Sequence, residues 1–338
     1  MNHKSKKILF IMAPVPGYRE EIFAELLRRG HQVHLLEGCS KPKRYQVSPK
    51  QRLLRSLVYD IKLLFLAPEL EKIETRFYSP LVQDLDNDYD YVFDFGGHAQ
   101  ENCLKILRKK LAARFVLYLW DDADNIPNNH GRFKYFDDIF SFNPQDCKTF
   151  GFQFRPSFYL PQFTYQGEDK NIDIFYKGSL RERKRSLLIE HIIHIANKQK
   201  HEISLYTSKG YLPNFFKVPN KEFFDKYCNN KYFNASQISS KSKHSKALLD
   251  ISFRDQKGLS PRIFEAIAAN SKIITTNRNI INYDIYNNNV CIIGENGENS
   301  EYIPHFITTD YRPYSENTLR KYSLTGFIDD VFQEPKTT

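Results

Sequence analysis

A loop that leads into a helix is the segment of this sequence most suited to binding a phosphate. The helix is predicted to begin at Pro261, a residue favoured in the first helical turn. Free backbone N–H groups and the positive end of the helix dipole would face an anion there. Arg262 can bond two phosphate oxygens, and Glu265 can accept hydrogen bonds from a ribose. The predicted contacts are Gln256, Gly258, Leu259, Ser260, Arg262 and Glu265. A plain helix cap with a solvated Glu265 explains these residue types equally well.

Three residues in the first half have side chains that can transfer a proton. Asp94 and His98 follow a predicted strand at Tyr91 to Phe95, and Asp121 follows another at Phe115 to Leu119. Open α/β sheets bind ligands beside the carboxyl ends of their strands, and an imidazole with a pKa near neutrality can act as a general base. A loop histidine without a role and a turn capped by Asp121 are equally good interpretations.

These candidate residues lie within a repeated pattern of strands and helices. The first half opens with a predicted strand from Lys7 to Ala13, a helix from Arg19 to Arg29 and a strand from Gln32 to Leu36, which make one βαβ unit. The pattern restarts after a polar stretch, Phe163 to Asn171, with a strand from Ile172 to Tyr176. Alternating strands and helices predict parallel sheets covered by helices, so the fold class is α/β.

Length and composition favour two folded domains. Of the 338 residues, 41% are hydrophobic and 26% are charged, as in globular proteins and unlike disordered ones. A domain usually contains about 100–200 residues. We therefore predict a first domain at residues 1–165, a second at 166–312, and a helical tail at 313–338 that packs back toward the first domain.

The net charge of +9 favours anionic partners. Basic residues are clustered between Lys41 and Arg55 and between Lys105 and Arg114. Solvated helix faces are the commonest origin of such clusters. The alternative is a surface that faces a membrane, because no nucleic-acid-binding motif accompanies the charge.

The cysteines and the apolar runs indicate where the protein acts. The five cysteines are odd in number and scattered, which indicates a reducing compartment and no zinc site. The apolar run from Ile8 to Val15 contains Pro14 and lacks a cleavage site, so it predicts a strand and not a secretory signal. No apolar run reaches the roughly 18 residues that span a bilayer. We expect a cytoplasmic protein, soluble or peripheral on the inner membrane face.

The segment from Ser242 to Asn277 resembles the donor-binding region of GT-B glycosyltransferases in the CgeB-like and polysaccharide-biosynthesis group. Those proteins carry an arginine shortly before a glutamate at this helix start, as Arg262 and Glu265 do here. The segments from Asn282 to Gly294 and near the end of the chain are similar to lipopolysaccharide and capsule enzymes of that group. The sequence departs from the retaining enzymes that carry two glutamates, because Lys257 occupies the earlier position.

The resemblance implies two Rossmann-like domains whose parallel sheets face each other across a cleft. It implies a donor in the C-terminal half and an acceptor in the N-terminal half. It adds the turn at Gly178 and Ser179 to the donor site, where Arg183 would neutralise the leaving diphosphate. Which of the neighbouring cations contacts phosphate stays open among Arg181, Arg183, Lys184 and Arg185. In the first half the predicted catalytic residues are Asp121, His98 and Asp94, and the predicted acceptor contacts are Gly17, Gly97 and Trp120. A simple tight turn explains Gly17 equally well.

The sequence therefore predicts a glycosyltransferase that moves a sugar from a nucleotide-sugar donor onto a glycan or lipid-linked glycan in bacterial lipopolysaccharide or capsule biosynthesis. We expect no cofactor, no metal and no nucleic-acid partner. Two alternatives stay open. A nucleotide-sugar epimerase or dehydrogenase is disfavoured because the first strand is not followed by G-x-G-x-x-G. A non-catalytic nucleotide or nucleic-acid-binding protein would keep its affinity without Asp121 and His98.

Overall fold

The computed structural model describes the larger part of the chain. The described residues are 5–15, 17–39, 48–59, 61, 63–125, 130–178, 183–198, 203–207, 234–252 and 256–332. The chain divides into two compact units. Unit 1 contains residues 1–155 and 331–338, and unit 2 contains residues 156–330.

Unit 1 is built on a parallel sheet with the strand order β2-β1-β3-β4-β5-β6 in its described part. The strands are β1 (Lys7–Met12), β2 (Gln32–Leu35), β3 (Tyr91–Phe95), β4 (Arg114–Leu119), β5 (Asp138–Ser141) and β6 (Gln153–Phe154). In register, Ile8 lies opposite Tyr91, and Val92 lies opposite Phe115. Every residue of β3 is buried, as expected for a central strand covered on both faces. The strand order switches between β1 and β3, the position at which open α/β sheets bind ligands.

Helices connect these strands and cover the sheet. They are α1 (Tyr18–Arg28), α2 (Pro49–Tyr59), α3 (Ala67–Gln83), α4 (Glu101–Lys110), α5 (His130–Phe133) and α6 (Pro144–Phe150), with 3-10 turns at Leu64–Leu66 and Ala123–Asn125. Helix α6 shows how the local sequence fixes its ends. The Asn143 side chain accepts a hydrogen bond from the Gln145 backbone at its start, and Gly151, with a φ of 74°, ends it.

Unit 2 contains a second parallel sheet, with the order β11-β10-β9-β7-β8 among the described strands. The strands are β7 (Ile172–Gly178), β8 (Ile203–Thr207), β9 (Ser245–Asp250), β10 (Lys272–Thr275) and β11 (Val290–Ile292). If the described strands are numbered in chain order within each unit, the first five strands of both sheets lie in the order 2-1-3-4-5. The switch point of this sheet therefore lies between β7 and β9.

The helices of unit 2 include the predicted phosphate-binding helix. They are α7 (Arg183–Lys198), α8 (Ala235–Lys243), α9 (Pro261–Ala268), α10 (Ile303–Thr308), α11 (Glu316–Lys321) and α12 (Leu324–Val331), with 3-10 turns at Pro161–Phe163, Arg278–Asn282 and Ser300–Tyr302. The core lies between the sheet and helices α7 and α10, where Ile189, Ile192 and Phe306 are buried with Leu249.

The division between the units falls between Arg155 and Pro156, ten residues before the boundary expected at 165. The segment after Pro156 is bonded within unit 2, where the Tyr159 N–H donates to the Tyr322 carbonyl at 3.0 Å and the Leu324 N–H donates to the Tyr159 carbonyl at 3.1 Å. Most of the expected tail also belongs to unit 2, whereas Phe332 packs against Tyr91 in unit 1 with ring centroids 5.2 Å apart. Among the described helices, none is long and apolar enough to cross a membrane.

Candidate functional site

The loop after β3 carries two of the predicted catalytic residues, Asp94 and His98. Asp94 is fully buried, and its carboxylate accepts hydrogen bonds from the backbone N–H groups of His98 and Ala99, both at 3.0 Å. Burial raises the pKa of Asp94. In this position Asp94 fixes the loop that carries His98, and its own part in proton transfer stays a prediction.

Two glycines give this loop its shape. Gly96 has a φ of 91° and Gly97 a φ of 65°, in the left-handed region that other residues rarely adopt. A Cβ atom on Gly96 would lie 2.7 Å from Nε2 of His98, which is too close for non-bonded atoms. The imidazole therefore lies directly against the Gly96 backbone. The predicted acceptor contact Gly97 is buried.

A buried arginine, Arg132, supports the same loop. Its Nη1 atom donates hydrogen bonds to the carbonyl oxygens of Gly97 and Ala99, both at 2.8 Å, and the residue is only 4% exposed. Sequence reasoning missed Arg132, because it lies on the short helix α5, away from any strand end, and no motif surrounds it. The loop is thus fixed by Asp94 through its N–H groups and by Arg132 through its carbonyl groups.

The Nε2 atom of His98 is buried and has no hydrogen-bond partner among the described residues. Burial lowers the pKa of His98; the nearby Asp94 opposes this effect and Arg132 adds to it. The imidazole is therefore neutral at neutral pH, so one ring nitrogen can accept a proton or a hydrogen bond. A buried polar atom without a protein partner at the switch point of a sheet is suited to binding a ligand hydroxyl.

Trp120 forms an aromatic surface beside this histidine. Trp120 is partly exposed, and its ring makes T-shaped contacts with the rings of Tyr18 and Phe95, with centroids 5.4 and 5.1 Å apart. Its Nε1 atom lies 3.3 Å from the position that a Cβ on Gly96 would occupy. Trp120 and His98 therefore meet at the same glycine. Gly17 immediately precedes Tyr18 and begins α1 with a φ of 83°, so the structure brings the predicted acceptor contacts to one edge of the sheet.

Asp121 lies on the surface after β4 and bonds within its own turn. Its Oδ1 atom accepts hydrogen bonds from the Asp122 N–H at 2.9 Å and from the Asn125 amide at 3.0 Å. The turn-cap interpretation of Asp121 therefore describes its contacts. Its neighbour Asp122 is half-buried, and this burial, with the repulsion of Asp146 nearby, raises the pKa of Asp122 to about 6. The catalytic role of Asp121 stays a prediction.

In unit 2 a buried aspartate, Asp250, organises the carboxyl edge of the sheet. It ends β9 and is 2% exposed. Its carboxylate accepts hydrogen bonds from Ser260 Oγ at 2.7 Å and from Thr275 Oγ1 at 3.0 Å, and it forms an ion pair with Arg262. One carboxylate thus joins β9, β10 and the first turn of α9. Sequence reasoning missed Asp250, although its position at the end of an apolar strand was the available signal.

The predicted phosphate-binding helix is not capped by a side chain. Ser260 occupies the N-cap position of α9, but its hydroxyl donates to Asp250 and does not cap the helix backbone. The plain helix-cap interpretation of this segment is therefore wrong. Glu265 is 3% exposed, so the interpretation of a solvated Glu265 is also wrong. Arg262 keeps 23% of its side chain exposed while it pairs with Asp250.

Asn277 holds the loop that precedes α9. Its side-chain amide donates to the carbonyl oxygens of Gly258 at 3.0 Å and Gln256 at 3.4 Å, and its side-chain oxygen accepts the N–H of Asn279 at 3.0 Å. The Leu259 side chain is buried in the core, so the predicted donor contact of Leu259 can only come from its backbone.

A cavity of about 300 Å³ opens beside this loop. Most of its lining residues are polar or charged; the lining consists of Ser252, Gln256, Lys257, Thr276, Asn277, Arg278, Asn279, Ile293, Gly294, Glu295 and Glu298. Gln256 belongs both to this lining and to the predicted donor contacts. Hydroxyl, amide and charged groups of both signs in a space of this size suit a small polar ligand such as a sugar.

The turn after β7 holds the remaining predicted donor contacts. A Cβ atom on Gly178 would collide with the Tyr176 hydroxyl, so only glycine fits beside this buried tyrosine. Arg185 is 5% exposed and bonds to the Tyr176 side chain, whereas Arg183 and Lys184 are exposed. The Arg262 guanidinium lies 5.8 Å from the Tyr176 ring centroid. Ser179 and Arg181 lie outside the described residues, and the cation that contacts phosphate stays open.

Within the described ranges, no three His, Cys, Asp or Glu side chains come together as a metal site. The expectation that the protein needs no metal or other cofactor stays a prediction.

The sequence matches no protein-family model and no curated protein, but solved structures match the whole fold. AviGT4, a glycosyltransferase involved in avilamycin A biosynthesis, is 13% identical with a TM-score of 0.58, and the match covers 96% of this chain and 95% of that one. A trehalose-6-phosphate protein from E. coli bound with UDP-2-fluoro glucose is 11% identical with a TM-score of 0.61, covering 97% and 99%.

A third match is a UDP-forming α,α-trehalose-phosphate synthase from Burkholderia xenovorans in complex with glucose-6-phosphate. It is 10% identical with a TM-score of 0.63, and the match covers 96% of this chain and 98% of that one. These neighbours are GT-B glycosyltransferases with Rossmann-like domains. The chain therefore has the GT-B fold, as predicted.

Proposed function

We propose that this chain is a glycosyltransferase that moves a sugar from a nucleotide-sugar donor onto a glycan or lipid-linked glycan acceptor in bacterial lipopolysaccharide or capsule biosynthesis. The GT-B fold supports the transferase activity, because fold neighbours along the whole chain are glycosyltransferases, one of them bound with UDP-2-fluoro glucose. The role in surface polysaccharide rests on the sequence resemblance at Ser242 to Asn277.

The observation that carries the proposal is the arrangement around Asp250. Its carboxylate accepts the hydrogen bond of the Ser260 hydroxyl and pairs with one side of the Arg262 guanidinium. The Ser260 side chain therefore does not cap the backbone N–H groups at the start of α9. An anion is favoured at such a helix start. The donor diphosphate would bind there, and the guanidinium N–H groups that face away from Asp250 would bond to its oxygens.

The acceptor would bind at the switch point of unit 1. Trp120 is partly exposed, and an aromatic ring at this position is a group against which a sugar could pack. The neutral imidazole of His98 would accept the proton of the attacking hydroxyl as the new glycosidic bond forms. The bond between the anomeric carbon and the diphosphate oxygen breaks in the same reaction. The leaving nucleoside diphosphate keeps the electron pair, and the start of α9 with Arg262 stabilises its charge.

The donor site is tested by titration calorimetry with nucleoside diphosphates. The variants Arg262→Gln and Glu265→Gln are expected to weaken binding at least about tenfold, since each removes a charged contact. Lys246→Gln, which removes a cation paired with Asp173 elsewhere in unit 2, is the matched control and should bind like the unmodified protein. Unchanged affinity in both site variants would show that the donor site is wrong.

The acceptor site has its own optical signal. Trp120 is the single tryptophan of the chain, so a sugar that stacks on it should change its fluorescence. Titration with oligosaccharides of bacterial surface glycans is expected to give a saturable change, and Leu187→Trp in a Trp120→Phe background should give none. A change in that control variant alone would contradict the proposed acceptor site.

A further inference from the structure

Two buried cysteines of unit 1, Cys39 and Cys103, take no part in the proposed reaction. Their sulfur atoms lie 2.9 Å apart, although the residues are 64 positions apart in the sequence. Both are free thiols, and they are 1% and 0% exposed. A disulfide joins its sulfur atoms at about 2.05 Å, so the fold already holds these two thiols near bonding distance. We call these two residues the Cys39–Cys103 pair.

The pair joins two segments of unit 1 that are distant in sequence. Cys39 follows β2, and Cys103 lies in the first turn of α4. The Gln100 N–H, at the start of α4, donates to the Cys39 carbonyl at 2.8 Å, and both cysteine side chains belong to one buried core cluster. The backbones of the two segments are therefore already bonded beside the sulfur atoms, and a disulfide would make this link covalent.

The first turn of α4 directly follows the loop that carries His98. Cys103 lies four residues after Ala99, whose N–H donates to Asp94. The contact with Cys39 raises the pKa of Cys103 well above its ordinary value, and burial and the Asp94 charge raise it further. Asp94 thus acts both on the Cys103 thiol and on the loop of His98. A bond at Cys103 would restrain the end of this loop.

Burial decides which oxidant can react with the pair. Buried, protonated thiols are inert toward bulky disulfides such as oxidised glutathione. A hydroperoxide as small as hydrogen peroxide can enter during a local opening of the structure. Cys39 attacks it first, since the raised pKa keeps Cys103 protonated. In a reducing compartment, disulfides are usually transient and redox-sensing, so the pair suits a slow and reversible response to peroxide.

We propose that the Cys39–Cys103 pair is a reversible oxidation site, at which a hydroperoxide converts two thiols into a disulfide that stiffens the loop of His98. The Cys39 sulfur attacks one oxygen of hydrogen peroxide, the O–O bond breaks and water leaves, which gives a sulfenic acid at Cys39. The Cys103 sulfur then attacks the Cys39 sulfur, forms the S–S bond and releases a second water. The sulfurs lose two electrons to the peroxide, and both thiol protons end in water. The site does not rest on sugar transfer.

Peptide mapping of the full chain tests the disulfide. The folded protein is treated with hydrogen peroxide, its remaining thiols are alkylated in denaturant, and it is digested without reductant. The expected product is a cross-linked peptide that contains Cys39 and Cys103 and that dithiothreitol separates. Cys103→Ala should lose this product. The matched control Cys147→Ala changes a cysteine on α6 and should keep it.

Hydrogen exchange measures the effect on the loop. In the oxidised protein the amides of His98 and Ala99 should exchange at least about tenfold more slowly, since a cross-link restricts local opening, and dithiothreitol should reverse the change. Unreacted thiols, or sulfinic and sulfonic acids without this cross-linked peptide, would overturn the disulfide site. A cross-link that leaves the exchange unchanged would overturn its effect on the loop. The unmodified protein gives both results without donor or acceptor, so they are distinguishable from a failure of the proposed function.

Discussion

At the scale of single residues, the chemistry of His98 is set by neighbours that hold its loop. Asp94 bonds the loop N–H groups, and Arg132 bonds its carbonyl groups. Burial keeps the imidazole neutral and leaves Nε2 without a protein partner in the described structure. A residue in this state can take up a proton over a wide range of pH, because it is not already protonated near neutrality.

Replacing His98 by Gln should therefore lower kcat by about 10²- to 10⁴-fold, the usual contribution of a general base. Because burial lowers the pKa of His98, the acid limb of the kcat/KM profile should lie below about pH 6.5, the ordinary value for histidine. Steady-state kinetics across pH measure both quantities. The exposed His194 in unit 2 supplies the control variant His194→Gln, and a similar loss in that variant would contradict the assignment.

A methyl group on Gly96 should displace the imidazole. Gly96→Ala must place alanine at a φ of 91° and a Cβ 2.7 Å from Nε2 of His98, so we expect a loss of at least about 2 kcal/mol in the free energy of unfolding, together with lost activity. Gly151→Ala has a φ of 74° but no atom within 4 Å of its Cβ, so it should show the backbone cost alone, about 1 kcal/mol. Equal losses in urea unfolding would show that the imidazole does not contact Gly96.

Asp122 should make the stability depend on pH. Burial raises the pKa of Asp122 to about 6, so its favourable contribution is complete below about pH 4 and is lost as pH rises through about 6. Asp122→Asn stays uncharged and should raise the free energy of unfolding at about pH 8 by about 1 kcal/mol, after discounting for solvent screening. The gain should vanish near about pH 4, where the Asp122 carboxyl of the folded protein is itself uncharged. The exposed Asp169→Asn should show no such trend, and a gain that is independent of pH would show that burial of the Asp122 carboxylate is not the cause.

At the scale of elements, Asp250 connects two strands to the start of α9. The hydroxyls of Ser260 and Thr275 and the Arg262 guanidinium all bond to one carboxylate. This connection orients the helix start that would face the donor. It also explains why a serine at the N-cap position leaves the helix uncapped.

Loss of this carboxylate should disturb both folding and donor binding. Asp250→Asn leaves the Arg262 charge without its ion pair and should lower the free energy of unfolding by about 3 kcal/mol. Because the two residues share one interaction, the double variant Asp250→Asn, Arg262→Gln should lose clearly less than the sum of the single losses. Chemical denaturation of the four proteins measures the coupling, and additive losses would show that the pair does not act as one unit.

The sequence predicted the elements better than the contacts between them. The strands at Tyr91 and Ile172 and the helix at Pro261 follow from local apolar patterns, which act over a few residues. The positions of Arg132 and Asp250 depend on contacts between distant segments, which no local pattern contains. The same holds for Cys39 and Cys103, whose sulfur atoms lie 2.9 Å apart across 64 positions.

At the scale of the whole molecule, two sheets share the order of their first five described strands, and each presents polar groups at its carboxyl edge. The first presents His98 and Trp120, and the second presents Arg262 beside an uncapped helix start. Repetition of the arrangement was readable from the sequence as a βα pattern that restarts in the second half. The place of the division was not, because it depends on backbone hydrogen bonds that join the segment after Pro156 to distant residues of unit 2, Tyr322 and Leu324.

Use of a nucleotide-sugar donor is the property on which the proposed function depends, and a thermal-shift screen measures donor recognition without any acceptor. The purified protein is heated with UDP, GDP, CMP, ADP or dTDP, and with NAD as the control. We predict that one nucleotide raises Tm and that Arg262→Gln removes this increase while Lys246→Gln keeps it. A rise with NAD alone, or with none of the ligands, would contradict the proposed function.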